Sequence, residues 1–263
     1  MLLEKNLRDS NQNDEVRGIA QARTITTLSR LDNERKPKVI LFLYQSGLIN
    51  SKSPILFLDK ADLRNIDLSG AHLQLANFYN CDLSGSIFNG ARMHSIRLDH
   101  ARLIGTMLQG AGLQNANLNN CNLTNANLEG AEFCDDRRKF NSPGRGYIKE
   151  EGARLNSANL KNAKLKNAFL KNTGLTDTNL EKANLTNADF TGACFSRTKF
   201  KDAILDGTIF DNSLFYSIDL RDLNIELSKL YKAESFSGSV LLNGEKIKGS
   251  TYEDLEKELK NTS

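Results

Sequence analysis

The chain has 263 residues, 39% of them hydrophobic and none of them Trp, with a formal net charge of +3. That length suffices for one elongated domain with its caps, and near-neutrality argues against nucleic acid as a partner. The longest apolar stretch, Val39 to Tyr44, is six residues, far short of the roughly twenty that cross a bilayer as a helix. Residues Met1 to Ser10 lack the basic start and apolar run of a secretory leader. Four cysteines at irregular spacing give no disulfide framework, so reduced thiols and a cytoplasmic location are expected, with a membrane partner not expected for this chain.

Residues 1–53 read as a helical segment. The spacing predicts a helix from Asp14 to Leu31, with Val16, Ile19, Ala20, Thr27, Leu28 and Leu31 near one face. Asp32 and Asn33 can cap a second helix that carries Pro37 near its first turn and runs to Ser46, with Gly47 as its stop. The segment holds nine basic and six acidic residues, but no recognition helix of a DNA reader is legible. A cap over an open end of the remaining chain is the better reading.

From Leu58 the chain obeys a period of five. Every fifth residue to Phe133 is Leu, Phe or Met, sixteen centres in all, and the stretch AGLQNANLNNCNLTNANLEGAEF (Ala111 to Phe133) shows the phrase most clearly. Two places before most centres stands a small residue, such as Ala111, Ala116 or Cys121. A second run, from Leu155 to Leu220, adds fourteen centres. Five residues turn a helical side chain by about 500°, and five is odd on a strand, so neither element keeps the centres together. They share one side only if the chain turns once per pentad, with the small residue and the centre pointing inward together. Glycines two places past a centre (Gly70, Gly85, Gly90, Gly105, Gly110, Gly130, Gly192, Gly207) suit that turn.

The pattern A-(D/N)-L-x-x, present as ANL, ADL and ADF, resembles the pentapeptide-repeat family. The resemblance covers about 150 residues and implies a mainly β fold: a right-handed, four-sided β-helix in which the centre and the small residue point inward. Thirty centres would make about 7.5 coils, a rod of roughly 36 Å at about 4.8 Å per stacked strand. The helical segment 1–53 resembles the N-terminal region of some cyanobacterial members. Some relatives bind type II topoisomerases with a rod that imitates the DNA duplex, which suggests a DNA mimic as the alternative function. That role favours a strongly negative surface, whereas the two runs together hold 15 basic and 15 acidic residues.

Within the first run, 54–133, larger inward residues appear at Leu56, Ile66 and Ile96. Cys81 and Cys121 take inward positions, while Cys134 and Cys194 fall at flanking ones. His72, His94 and His100 also flank, without metal-site spacing, so no metal or cofactor is expected. Between the runs, the stretch 134–152 inserts seventeen residues beyond one pentad. Its Arg137, Arg138, Lys139, Phe140, Arg145 and Tyr147 mix cations and aromatics, a composition suited to the acidic surface of a partner protein.

In the second run, 153–222, residues twenty apart should stack, which pairs Lys161 with Glu181, Glu181 with Lys201, Asp177 with Arg197, Lys182 with Asp202 and Lys199 with Asp219. Residues 223–263 read as a C-terminal cap. It should hold a short helix over Ile225 to Ala233, a hairpin turn at Asn243-Gly244 and a last helix opened by a Ser250/Glu253 capping box. No set of residues points to catalysis or a small-molecule substrate. A non-enzymatic scaffold for protein–protein interaction, of a regulatory kind, is the expected function.

Overall fold

The structure is a computed structural model that describes residue 7 and residues 10–11, 14–50, 54–134, 152–223, 225–240, 247 and 249–260. Its body is a β-solenoid. Parallel bridges join residues twenty apart: Asp62 to Asp82, Asp67 to Ile87, His72 to Arg92 and Asn77 to Arg97, with the same four columns continuing up the rod. A step of twenty is four pentads per coil. We number the faces I to IV from the columns that begin at Asp62, Asp67, His72 and Asn77. All thirty centres are buried to 3% exposure or less. The inward small residues join them, and Leu56, Ile66 and Ile96 are buried as well.

The five positions of the pentad divide the work. Most centres donate their N–H to the carbonyl nineteen residues on, as Leu63 does to Asp82 at 2.8 Å, and Asp82 donates back to Ala61 at 3.0 Å. The Asp or Asn before the centre caps the turn: its Oδ1 accepts the N–H two residues on, as in Asp67 to Ser69 (2.9 Å), Asn122 to Thr124 (3.1 Å) and Asn184 to Thr186 (3.0 Å). That is why short side-chain oxygens recur there. The turn's last residue is left-handed throughout, in Gly70, Gly110 and Gly207 but also in Asn65, Asn120, Asn162 and many others. Asn is the side chain that tolerates this region best, so it alternates with Gly. Where Ser or Thr replaces Ala in the bore, its hydroxyl donates to a backbone carbonyl, of the coil before as Thr178 does to Leu155 at 2.8 Å, or of the preceding centre as Thr173 does to Leu170 at 2.7 Å. A buried hydroxyl is thereby satisfied.

The insertion leaves the stack intact. Asn117 pairs with Arg154, Asn122 with Asn159, Asn127 with Lys164 and Glu132 with Phe169, each thirty-seven apart rather than twenty. The two coils on either side of the insertion thus stack directly on each other.

Helix α1 spans Glu15–Arg30 and α2 spans Arg35–Gln45. Asp32 Oδ1 accepts from the N–H groups of Glu34 and Arg35 at 3.2 and 2.8 Å, and Gly47 ends the second helix with φ +67°. Of the six residues expected on the packed face of α1 only Leu28 is buried, and Ile19 is 42% exposed. The chain then pairs antiparallel with the first coil, Asn50 beside Ala76, with Asn77 N–H donating to Ile49 at 2.8 Å. One sheet edge on face IV is covered in this way.

At the other end the bore fills with aromatic rings. Phe195 stacks on Phe215 at 5.1 Å, and Phe215 on Phe236 at 5.5 Å. On face IV, β1 (Cys194–Ser196) pairs with β2 (Leu214–Tyr216), and Leu214 pairs with Ser235. Among the described residues no bridge joins Lys199 to Asp219, although Asp219 pairs onward with Val240. Ile218 is buried in the bore where the coil below has Thr198. The expected helix over Ile225 to Ala233 is a 3-10 turn over Leu227–Leu230. Helix α3 spans Tyr252–Lys260, and its cap lies one residue later than expected. Thr251 Oγ1 accepts from Asp254 N–H at 3.2 Å while Asp254 Oδ2 accepts from Thr251 N–H at 3.1 Å. The Asn243-Gly244 hairpin lies outside the described residues.

Candidate functional site

The insertion leaves and returns at one corner. Phe133 closes the coil before it, and Ala153 N–H donates to the Phe133 carbonyl at 3.0 Å. Gly152 packs so close to the next coil that a Cβ would stand 2.5 Å from the Lys171 oxygen and 2.8 Å from Asn172. Glycine is therefore required where the chain re-enters. Residues Arg137, Arg138, Lys139, Phe140, Arg145 and Tyr147 lie outside the described residues.

An exposed ring and an ion pair stand near this corner. Phe169, 47% exposed, stacks beside Glu132 on face III, and Lys171 reaches Asp189 at 3.3 Å. Further down face III, Gly90, Gly110 and Gly112 leave a recess of about 470 Å³ edged by Arg92, His94 and Glu132. Gln114 closes its side, donating from Nε2 to Glu132 Oε2 at 2.7 Å.

Of the ion pairs expected at twenty-residue spacing, Lys161 meets Glu181 at 3.2 Å and Arg197 meets Asp177 at 2.6 Å. Among the described residues, no ion pair joins Glu181 to Lys201, Lys182 to Asp202 or Lys199 to Asp219. Asp219 instead takes Arg221, two residues on. The same local pairing joins Asp62 to Arg64, whose guanidinium and backbone N–H hold the Asp62 carboxyl down at about 2. Asp222 goes the other way: burial and the nearby Asp219 charge raise it.

Cys81 and Cys121 are buried, and burial pushes both thiols up, whereas Cys134 and Cys194 are half-exposed. Among the described residues no group of three or more His, Cys, Asp or Glu is placed to hold a metal ion. None of the described helices is long and apolar enough to cross a membrane.

A family model for pentapeptide repeats matches in eight copies, over residues 58–94, 96–135 and 153–192. No curated protein matches the chain. Among solved structures it is similar to Rfr23, a pentapeptide repeat protein from the cyanobacterium Cyanothece 51142, with 34% identity over 43% of this chain and 63% of that one (TM-score 0.33). The chain thus spans less than two thirds of Rfr23. It is also similar to QnrB1, a plasmid-mediated fluoroquinolone resistance protein, with 19% identity over 65% of this chain and 88% of that one (TM-score 0.32). A third is HetL from the cyanobacterium Nostoc, a pentapeptide repeat protein involved in heterocyst differentiation regulation. It shares 19% identity over 79% of this chain and 97% of that one (TM-score 0.19). Superpositions this loose carry no argument about detail, and the assignment rests on the repeats. With the pentad register, the ladder step of twenty and the matched repeats in agreement, the chain belongs to the pentapeptide-repeat family.

Proposed function

We propose that this protein is a non-enzymatic scaffold that binds another protein through the insertion carried on its rod. One observation supports the reading above others. The coils on either side of the insertion stack on each other directly, with Ala153 bonded to Phe133, so folding has no need of the seventeen residues. An excursion that the ladder does not require, rich in Arg, Lys and aromatic residues, suits a partner's acidic surface. On this reading the rod is a right-handed, four-sided coil, segments 1–53 and 223–263 cap its ends, and the protein works in the cytoplasm without a cofactor. A regulatory role would follow from occupancy of the partner.

The test is charge reversal. A tagged full-length chain recovers its partner from the native lysate, with the protein identified by mass spectrometry. Arg137→Glu with Arg138→Glu should weaken that capture about tenfold or more and flatten its dependence on salt. Capture by the double variant equal to that of the parent, at both low and high salt, would place the contact elsewhere.

A further inference from the structure

Towards the C-terminal end of the rod the sheet is left with an open edge. Among the described residues the ladders of faces I and II stop at Lys199 and Ile204, while face IV runs on to Ser235. One coil earlier the N–H groups of Lys182, Leu185 and Asn187 donate to the carbonyls of Lys201, Ile204 and Asp206 at 2.9, 2.8 and 2.8 Å. Their counterparts on the edge, the N–H groups of Asp202, Leu205 and Gly207, make no hydrogen bond among the described residues, and the Ala203 carbonyl accepts none. Asp202 and Gly207 are exposed. Over this edge lies a recess of about 760 Å³, bounded by residues 201–206 and by Arg221, Asp222 and Leu223. That second wall satisfies itself: Asp222 and Leu223 donate to the Asp219 and Leu220 carbonyls at 3.1 and 3.2 Å, and Arg221 N–H to Asp219 Oδ1 at 3.1 Å. A row of unpaired donors and acceptors beside open space is a template for one more strand.

The side chains along the edge define which strand fits. Asp202, Ile204 and Asp206 follow one another at two-residue steps and are all exposed, Ile204 by 47%. Ala203 and Leu205 between them are buried. Arg221 is spent on Asp219, which accepts from its guanidinium at 2.8 and 2.5 Å. Among the described residues Asp202, Asp206 and Asp222 make no ion pair, which leaves Lys201 against three carboxylates around the recess. Charges on an edge discourage an uncharged strand, and an excess of carboxylates favours a basic one.

We propose that this edge docks an extended, basic segment of a partner protein, added to the stack as one more strand. An apolar residue of that segment lies over Ile204, donates its N–H to the Ala203 carbonyl and accepts from Leu205 N–H. The residue two places on accepts from Gly207 N–H, as Asp206 does from Asn187 in the coil below. Basic side chains two places before and after the apolar one meet Asp202 and Asp206. The site lies on residues 201–207 and is independent of the insertion and of the insertion's partner.

The probe is the acetylated, amidated peptide Lys-Ala-Val-Ala-Lys, titrated into the full-length chain and followed by the chain's amide signals in NMR spectra. Without peptide, the Asp202 and Gly207 amides should exchange with solvent about tenfold or more faster than those of Lys182 and Asn187, which are hydrogen-bonded. The peptide should shift the Asp202, Leu205 and Gly207 signals. Methylating its Val nitrogen, which removes the donor to Ala203, should weaken binding about tenfold or more, and so should Glu in place of both Lys. Asp202→Lys with Asp206→Lys, a change of exposed side chains only, should reverse the preference and favour the Glu peptide. Slow exchange at Asp202 and Gly207 in the free chain would overturn the proposal. So would no response to the Lys peptide, equal binding of the methylated or Glu peptide, or an unaltered preference in the double variant. Shifts of the same amides that grow with protein concentration alone would make the occupant a second copy of the chain, and would overturn it too.

Discussion

At the scale of single residues, the pentad works because each position has one physical task. Centres and small residues fill the bore, Asp or Asn caps the turn, and Gly or Asn takes the left-handed place. Glycine has two distinct reasons to be present, and they can be separated. Gly130 has φ +64° with open space around a would-be Cβ, so Gly130→Ala should cost only the backbone penalty, roughly 1–2 kcal/mol. Gly152 is hemmed in by backbone of the next coil, which cannot swing aside. Gly152→Ala should therefore cost more, on the order of 3 kcal/mol, through displaced strands. Denaturant melts of the two variants decide the matter, and equal losses would refute the distinction. The periodic centres and their burial were legible in the sequence because burial follows the period alone. The role of the Asp or Asn before each centre was hidden there. Its identity is visible in ANL and ADL, but the bond it makes depends on a turn that only the coil geometry defines.

The elements show where a local pattern stops being decisive. The seventeen inserted residues were readable from the step of five, whereas stacking at twenty was implied by the family resemblance and not by the period. The low burial of α1 was not: periodicity marks an apolar face but does not say how much of it finds a surface to meet. Nor was the missing rung between Lys199 and Asp219, because the period of five runs unbroken through both residues. The acidic turn caps carry a pH consequence. Asp62 is held at about 2 by Arg64, and hydrogen bonds from Ser69 and Arg221 lower Asp67 and Asp219. A carboxyl whose folded pKa lies below its unfolded value stabilises the fold above the unfolded pKa of about 4, and that contribution is lost as pH falls through the folded pKa. Melting temperature should therefore decline as pH drops from about 4 toward about 2. Asp62→Asn, which keeps the capping oxygen, should make that decline shallower in thermal melts. An unchanged acid profile in the variant would show that the Asp62–Arg64 pair is not a contributor.

For the whole molecule, the proposed function places stability and binding in different parts of the chain. The rod's ends are where stacked coils would bare strand edges and an open bore, and at the N-terminal end residues 49–50 pair with the first coil. A chain trimmed to residues 54–222 should associate or precipitate at concentrations where the full chain does not, as sedimentation would show. If it stayed monomeric and equally stable, the end segments would not be caps. The insertion is the opposite case, dispensable to the rod and proposed as the seat of binding. Closure entropy grows slowly with loop length, so shortening the excursion should barely alter stability. The measurement that tests this most directly replaces residues 135–151 with a short Gly/Ser linker, then records the thermal melt and the capture of the native partner on the same preparation. A melting transition within about 2 °C of the parent, together with loss of capture, is the expected result. A variant that melts like the parent and still captures its partner would contradict a binding role for the insertion.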